Sequence, residues 1–269
     1  MATLPAPPGG QFFMNKDLIF DIGMHEGEDT RYYLKRGYRV VAVEANPLLA
    51  RKGEQRFAKA IADGQLTILN VGVGDHEGIL PFYINGKYSE WSSFDKATGT
   101  RDGTPFKVIE VPCVRTAGLF EKYGIPYYLK VDIEGFDHYP LRDINAEGDK
   151  PRYVSCEAVQ LEWLTILRDK GYTKFKMLHQ GYGYRPINLA LDATWYFPKY
   201  QVLRNGIKRR LQRFLPFRHL HGSTGPFGED TRGSWHTYEE VAEFYRAFYQ
   251  YEKKAPLNTV SWYDFHATF

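Results

Sequence analysis

The sequence predicts an α/β fold: a mostly parallel, doubly wound sheet of about seven strands with a helical and irregular C-terminal cap. Short apolar runs alternate with longer segments of helical periodicity from residue 17 to about residue 180. The first apolar run ends in an acidic residue and leads into two glycines, as at a strand-to-helix turn that faces a ligand. Beyond about residue 180 the chain is rich in aromatic residues, Gly and Pro, and its periodicity is weak.

Seven apolar runs supply the strands of this predicted sheet. The first three are DLIFDI, YRVVAVE and LTILNVGVG, which alternate with two helical segments and form one β-α-β-α-β half. Residues 75–106 are rich in Gly, Ser, Asp and Thr with one brief strand, so we expect a long functional or disordered loop there. The second half follows with KVIEVPCV, PYYLKVDIE, YVSCEA and YTKFKML.

We divide the chain into an N-terminal extension (1–16), a main domain (17–198) and a C-terminal cap (199–269) packed on that domain. The formal charge of +3 is too small to indicate a nucleic-acid partner. Cys113 and Cys156 lack C-x-x-C spacing, so we expect buried free thiols. The sequence contains no signal-peptide pattern and no apolar run of the roughly 18 residues that span a bilayer, so we expect a soluble cytoplasmic protein.

The stretch DLIFDIGMHEGEDT carries the first candidate site. Asp21 ends the strand, and Gly23 and Gly27 lie in the turn that leads into a helix. Such a turn directs backbone N–H groups and the positive end of a helix toward a ligand. Glu44, at the end of the second strand, follows Gly23 by 21 residues, the spacing at which a carboxylate accepts hydrogen bonds from ribose hydroxyls. A nucleoside with a free 2′-hydroxyl is implied.

Two cofactors fit this geometry, NAD and S-adenosylmethionine. His25 stands where the dinucleotide fingerprint has its middle glycine, and a pyrophosphate needs close backbone approach at that point. The amino acid end of S-adenosylmethionine instead needs an acidic partner for its ammonium group, which Asp21 can supply. The sequence therefore favours S-adenosylmethionine.

The chain contains five blocks in a characteristic order: FDIGMHEGEDT, VVAVEANP, NVGVGD, SEWSSFD and YYLKVDIEGFD. Together they resemble the FkbM family of class I S-adenosylmethionine-dependent methyltransferases over about residues 17–180. The resemblance implies a Rossmann-like methyltransferase fold and methylation of hydroxyl groups on sugars and natural products. His25 departs from the Asn that is common at its position in the family turn.

The resemblance also implies roles for individual residues. It assigns Asp21, Gly23 and Gly27 to the methionine end of the cofactor and Glu44 to the ribose. Asp75, at the end of the third strand, occupies the place of a contact to the adenine amino group; a plain turn-forming Asp is the alternative.

Methyl transfer to a hydroxyl needs alignment and removal of a proton, so we looked for a base at the carboxyl ends of the later strands. Lys130, Asp132 and Glu134 lie there in KVDIEGFDHY, and Glu157 ends the next strand. Glu134 or Asp132 is the predicted base, with Glu157 in support, and a salt bridge is the expected role of Lys130. By positional analogy with other O-methyltransferases, Asp132 and Glu157 are also candidate ligands of a divalent cation such as Mg²⁺.

Three histidines are further base candidates: His25 in the turn has the best position, followed by His179 and His138. In the long loop, Trp91 lies beside Ser92 and Ser93. An aromatic ring beside hydroxyl groups is typical of a sugar-binding wall, and the family resemblance favours a cofactor or acceptor lid.

Residues 204–219 combine six basic side chains with apolar residues at three- to four-residue intervals, which predicts an amphipathic helix with a cationic face. Three interpretations compete: a solvated helix packed on the domain, weak contact with an anionic membrane surface, and a site that gathers an acidic acceptor. The first is favoured. The later stretch STGPFGEDTRGSW is expected to fold over the acceptor site, with a packing loop as the alternative.

The sequence thus predicts an S-adenosylmethionine-dependent O-methyltransferase that acts on a small-molecule or glycan acceptor, on a hydroxyl of a sugar or glycoconjugate. Two alternatives stay open: O-methylation of a non-sugar natural product, and a non-catalytic module that binds S-adenosylmethionine.

Overall fold

The computed structural model describes residues 14–180, 185–186, 224–254 and 263–269. The strands in these residues are β1 (Met14–Ile22), β2 (Arg39–Val43), β3 (Leu66–Leu69), β4 (Gly72–Val73), β5 (Gly78–Asn85), β6 (Phe106–Val114), β7 (Ile125–Val131), β8 (Tyr153–Glu157), β9 (Lys174–His179), β10 (Arg185–Pro186) and β11 (Tyr263–Thr268). The helices are α1 (Glu28–Lys35), α2 (Pro47–Arg56), α3 (Ala58–Ala62), α4 (Lys96–Gly99), α5 (Thr116–Tyr123), α6 (His138–Arg142), α7 (Leu161–Asp169) and α8 (Tyr238–Lys254).

Eight strands form the main sheet in the order β10-β9-β11-β8-β7-β1-β2-β3. β3, β2, β1, β7 and β8 pair in parallel, whereas β11 runs antiparallel to β8 and β9, and the two-residue β10 runs antiparallel to β9. Seven of the eight are longer than two residues. The prediction of an α/β fold with a mostly parallel sheet of about seven strands is confirmed.

A second sheet has three strands in the order β4-β6-β5. β5 is the brief strand predicted within residues 75–106, and β4 lies in the predicted run LTILNVGVG. β5 and β6 pair along eight residues, from Gly78 opposite Cys113 to Asn85 opposite Phe106. The strand KVIEVPCV, which we had assigned to the main sheet, is β6 and belongs to this small sheet. The chain enters the small sheet after β3 and returns to the main sheet at β7.

The two faces of the main sheet carry different cores, because successive side chains of a strand point to opposite faces. On β1, Leu18 and Phe20 join a large apolar cluster with α5, α6, α7 and α8. Ile19 joins a smaller, aromatic-rich cluster on the other face, with Tyr33 of α1 and Phe227 of the C-terminal segment. Both faces are covered, as a parallel sheet requires.

Local sequence accounts for the helix boundaries near the ligand edge. The side chain of Asn46 accepts a hydrogen bond from the Leu48 N–H and Pro47 occupies the first turn, so α2 has the predicted cap. The second helical segment of the sequence, residues 47–64, breaks at the buried Phe57 into α2 and α3. None of the described helices is long and apolar enough to span a membrane.

The C-terminal residues complete the sheet. β11 lies between β8 and β9 and is buried along its whole length. Residues 263–268 thus supply an interior strand of the main sheet, and the division into extension, main domain and C-terminal cap stays a prediction. The long helix expected over residues 237–254 is α8, which contacts α7 and β9.

Candidate functional site

A cavity of about 300 Å³ opens at the carboxyl ends of β1, β2 and β7. The chain moves outward from β1 through β2 and β3, and then continues on the other side of β1 with β7 and β8. Open α/β sheets bind their ligands at such a reversal of strand order. Eight carboxylates line this cavity: Glu26, Glu28, Asp29, Glu44, Glu90, Asp132, Glu134 and Glu157. The wall therefore favours a cationic ligand.

The turn after β1 has the left-handed backbone that its glycines predict. Gly23 has φ +90° and lines the cavity, and a Cβ there would stand 1.9 Å from the carbonyl oxygen of Asp132. Gly27 has φ +78°, but it is not in the cavity wall, and a Cβ there would meet the Phe57 ring at 2.6 Å. Close packing of the protein against itself therefore explains both glycines.

Asp21 lies behind the cavity wall and is completely buried. Its carboxylate accepts a hydrogen bond from Thr30 Oγ1 at 2.6 Å and lies 3.0 Å from Lys130 Nζ. Lys130 faces the cavity and donates to the carbonyl oxygen of Gly23 at 2.7 Å. Asp21 is therefore paired with Lys130 behind the wall, and contact of Asp21 with a ligand ammonium group stays a prediction.

Lys130 is the one permanently cationic side chain among the described residues that line the cavity. Burial alone would lower its pKa, but the carboxylates of Asp21, Asp132 and Asp29 raise the pKa of Lys130 well above its ordinary value. The predicted salt bridge of Lys130 to a neighbouring acid is present, with Asp132 at 3.6 Å and Asp29 at 3.7 Å.

Glu44 lines the cavity at the end of β2 and is buried. Its two carboxylate oxygens accept hydrogen bonds from the backbone N–H groups of His25 (2.8 Å) and Asn46 (2.7 Å). Burial raises the pKa of Glu44 to about 7, against the lowering effect of these two donors. Each carboxylate oxygen can accept a second hydrogen bond, so the group is able to receive two hydroxyls.

The predicted base candidates Asp132, Glu134 and Glu157 all line the cavity. Glu134 is held by Arg101 Nη2 at 3.1 Å and has φ +49°, a left-handed value that non-glycine residues rarely adopt. Burial raises the pKa of Glu134 to about 8, Arg101 lowers it, and Asp132 raises it. Burial together with the neighbouring acids also raises the pKa of Glu157 well above its ordinary value.

The remaining candidates are the predicted Mg²⁺ ligands and the three histidines proposed as bases. Among the residues that the structure describes, no group of three or more His, Cys, Asp or Glu side chains is arranged to hold a metal ion. Asp132 and Glu157 share the cavity, and Mg²⁺ binding by them stays a prediction. His138 and His179 are outside the cavity wall, whereas His25 lines it.

The loop between β5 and β6 supplies the remaining wall. Trp91 and Ser92 line the cavity, as expected of a lid. Ser93 is not in the wall; it is buried, and its Oγ donates to the carbonyl oxygen of Glu134 at 2.8 Å. The Trp91 ring packs against the Tyr88 ring at a tilt of 45°, with the ring centroids 4.3 Å apart, and lies under the Arg101 guanidinium at 4.2 Å.

A family model described as the Methyltransferase FkbM domain matches residues 21–174, more than half of the 269-residue chain. The match includes the turn after β1, Glu44 and the acidic end of β7. The chain belongs to the FkbM methyltransferase family. The resemblance that the five sequence blocks predicted is confirmed.

Individual relatives of this FkbM chain are distant or short matches. The probable ribosomal RNA small subunit methyltransferase A of Methanospirillum hungatei is 44% identical over 52 residues, 19% of this chain and 20% of that protein. The FkbM methyltransferase structure from Methylobacillus flagellatus is 16% identical, with a TM-score of 0.41, and the alignment covers 65% of this chain and 41% of that one.

Phosphoethanolamine N-methyltransferase 2 from Haemonchus contortus, solved with S-adenosyl-L-methionine, is 12% identical, with a TM-score of 0.41. That alignment covers 97% of this chain and 50% of the nematode protein. The chain therefore spans half or less of the length of each of these three proteins.

Asp75 of the FkbM chain does not reach the cavity. It is exposed and lies 2.6 Å from the His76 ring, and this hydrogen bond lowers the pKa of Asp75. The wall on the side of β3 is instead apolar, with Val71, Phe82 and Phe94. The structure thus gives the predicted adenine contact of Asp75 no support.

Sequence reasoning missed several residues of the FkbM site. Phe82 and Phe94 line the cavity with their rings 4.8 Å apart, although they lie in the small sheet and its loop. Ser89 and Arg101 reach the site from the same loop. The SEWSSFD block, which contains Ser89 and Phe94, was the available signal.

The C-terminal segment of the FkbM chain supports the site from behind. The backbone N–H groups of Thr224 and Gly225 donate to the Asp29 carboxylate at 3.1 and 2.7 Å. Phe227 stacks on Tyr128 at 4.0 Å, so this part of STGPFGEDTRGSW packs on the α1 face of the sheet. The basic residues 204–219, with their predicted membrane contact, lie outside the described residues.

Proposed function

We propose that the protein transfers a methyl group from S-adenosylmethionine to a hydroxyl of a sugar or glycoconjugate. One observation carries this proposal: a single acid-lined cavity joins Glu44, a buried acceptor for ribose hydroxyls, to Glu134 and Asp132, two acceptors for a proton. Membership of the FkbM family supports the methyl-transfer chemistry.

The residues of the cavity fit the cofactor. Glu44 can accept from both ribose hydroxyls while its own backbone hydrogen bonds persist. The apolar side chains Leu49, Phe82 and Phe94 offer a surface for a flat base. Acidic side chains in the cavity wall outnumber its one lysine, which favours a sulfonium cation that also carries an ammonium group, and Lys130 is placed to attract the carboxylate of the same ligand.

The reaction needs one electrophile and one base. When bound, S-adenosylmethionine supplies an electrophilic methyl carbon, whose bond to sulfur breaks with the electron pair left on sulfur. Glu134 or Asp132 takes the proton of the acceptor hydroxyl as the new oxygen–carbon bond forms. A carboxylate with a pKa of about 8 is a stronger base in its ionised form than an ordinary one, which favours Glu134.

A sugar acceptor is supported by the composition of the loop that faces the base. Trp91 offers an aromatic face, and Ser89 and Ser92 offer hydroxyls, on one side of the cavity. Aromatic faces pack against the C–H faces of sugar rings while hydroxyl and carboxylate groups fix the sugar hydroxyls.

The test is methyl transfer from radiolabelled S-adenosylmethionine to a panel of neutral sugars, alkyl glycosides and non-sugar alcohols. We expect labelled methyl ethers of sugars, and an E134Q variant whose turnover falls by about 100-fold. Glu147→Gln, an exposed change outside the cavity wall, is the matched control. Transfer only to non-sugar hydroxyls would contradict the sugar acceptor and indicate a non-sugar natural product instead. Binding of S-adenosylhomocysteine without methyl transfer to any compound of the panel would indicate a non-catalytic binding module.

A further inference from the structure

The loop of residues 86–105 between β5 and β6, here the bridging loop, is closed at its base. The Gly86 N–H donates to the Pro105 carbonyl oxygen at 2.7 Å. The buried Asn85 side chain accepts from the Lys87 N–H at 3.0 Å and donates to Thr104 Oγ1 at 2.6 Å. A long loop whose ends are joined and that makes its own internal contacts often has a function.

The first half of the bridging loop is fastened to the predicted cofactor turn. His25 Nε2 lies 2.8 Å from Ser89 Oγ, although the two residues are 64 positions apart. The same His25 donates its backbone N–H to Glu44. Its φ of +52° places it in the left-handed region, where Asn and His are more common than other non-glycine residues.

The bridging loop is also fastened to the predicted acceptor side. Arg101 Nη2 lies 3.1 Å from Glu134 Oε2, and Ser93 Oγ donates to the Glu134 carbonyl oxygen. The Arg101 guanidinium also covers the Trp91 ring, which lines the cavity. Glu134, like His25, has a left-handed backbone. Strained backbone at both attachment points is typical of functional sites.

We propose that the bridging loop is a lid that links the two halves of the site, with His25 as its positioning residue on the cofactor side and Arg101 as its positioning residue on the acceptor side. The inference rests on the proposed function for the identity of the two halves. A ligand that engages Glu44 also fixes His25, the residue that holds Ser89, so cofactor binding stabilises contacts that the loop already makes in this structure. His25 acts in this scheme through Ser89 and is not the base.

The first experiment measures S-adenosylhomocysteine affinity by calorimetry and amide hydrogen exchange of residues 86–105 with and without that ligand. His25→Gly keeps the left-handed backbone and removes the imidazole, and Ser89→Ala removes its partner. We expect each to weaken binding by about 3- to 10-fold, the range of one hydrogen bond, and to reduce ligand-induced protection of the loop. The double variant is expected to be no weaker than either single one. His25→Asn, which keeps the backbone and a polar side chain, restores part of the affinity.

The second experiment tests the acceptor-side attachment with Arg101→Gln and Arg101→Lys. We expect Arg101→Gln to lose exchange protection at residues 98–104 while S-adenosylhomocysteine affinity stays within about twofold, since Arg101 contacts Glu134 and Trp91 on the acceptor side. Arg101→Lys keeps the charge and restores part of the protection. Far-ultraviolet circular dichroism of each variant checks that the fold is intact.

The outcomes separate this inference from the proposed function. If S-adenosylhomocysteine does not bind the unchanged protein, the proposed function fails, and exchange in the unliganded Ser89→Ala and Arg101→Gln variants still reports on the two attachments. If the ligand binds but His25→Gly and Ser89→Ala match the unchanged protein in affinity and protection, the lid inference is overturned. Additive losses in the double variant would also overturn it.

Discussion

Lys130 and Asp21 lie side by side on the neighbouring strands β7 and β1, with Nζ of the lysine 3.0 Å from Oδ1 of the aspartate. Both side chains are buried. The same ammonium group donates to the Gly23 carbonyl oxygen and lies within 3.7 Å of Asp29 and Asp132. One buried cation thus joins the turn after β1 to the acidic end of β7.

This relationship predicts that Lys130→Met destabilises the protein strongly. The change leaves the Asp21 carboxylate buried without its cation, which costs about 3 to 5 kcal/mol in typical buried pairs. Urea unfolding measures the loss. Adding Asp21→Asn to the Lys130→Met variant removes the buried, unpaired carboxylate. The double variant is therefore expected to be more stable than Lys130→Met alone. A loss of less than about 1 kcal/mol in Lys130→Met would show that the pair contributes little.

Gly23 and Gly37, which both have φ near +90°, are expected to differ in their tolerance of a methyl group. In Gly23→Ala the new Cβ would stand 1.9 Å from the Asp132 carbonyl oxygen, so the backbone must move and the cost is at least about 3 kcal/mol. Gly37→Ala is the matched control, because a Cβ there meets nothing within 4 Å. Its cost is the left-handed strain alone, about 1 kcal/mol. Equal melting temperatures for the two variants would contradict this explanation.

Binding of S-adenosylhomocysteine is expected to strengthen as the pH rises through about 7. Burial holds the pKa of Glu44 at about 7, and only its ionised form accepts from two ribose hydroxyls. The dissociation constant is therefore expected to be about tenfold higher at pH 6 than at pH 8, because each pH unit below the pKa reduces the ionised fraction tenfold. Calorimetry at several pH values measures it. Glu44→Gln is expected to bind more weakly and to lose this dependence, while Glu44→Asp tests the reach of the carboxylate.

The melting temperature is expected to fall as the pH rises from about 6.5 to about 8. Burial raises the pKa of Asp137 and of Glu44 to about 7 and that of Glu134 to about 8, so the folded chain holds protons there that the unfolded chain has released. Stability decreases with pH wherever the unfolded state binds fewer protons. Burial lowers the pKa of His266 to about 3. This shift makes stability rise with pH, but only below the ordinary His266 pKa of 6.5.

Asp137→Asn tests the source of this decline, because it removes one of the buried carboxyls. The variant is expected to lose less of its melting temperature between pH 6.5 and pH 8 than the unchanged protein does. Differential scanning calorimetry across this range measures both. A melting temperature that rises with pH in both proteins would contradict the assigned direction.

Phe227 is expected to anchor the C-terminal segment to the sheet. Its ring stacks on Tyr128 at 4.0 Å and also contacts Tyr33, and all three are buried. Phe227→Ala is expected to cost about 3 to 5 kcal/mol, as for a large buried aromatic residue. Phe227→Leu keeps much of the apolar volume and is expected to cost less. If thermal melting shows no loss in Phe227→Ala, the segment does not depend on this contact.

The sequence by itself determined the parallel part of the fold and the acidic edge of the site. Apolar runs and helical periods depend on local spacing, and Glu44 and Glu134 follow directly from strands that end at the same edge of the sheet. Five sequence blocks were sufficient for the family. These features were predictable because each is encoded within a few consecutive residues.

Tertiary structure decided which side chains face the cavity and which stand behind it. Asp21 is buried behind the cavity wall, where it forms an ion pair with Lys130, more than a hundred residues later in the chain. Asp75 is exposed to solvent. β11 enters the middle of the sheet from the end of the chain, and Ser89 meets His25 across 64 positions. Such contacts depend on loop closure and on the registers of strands distant in sequence, which no local pattern records.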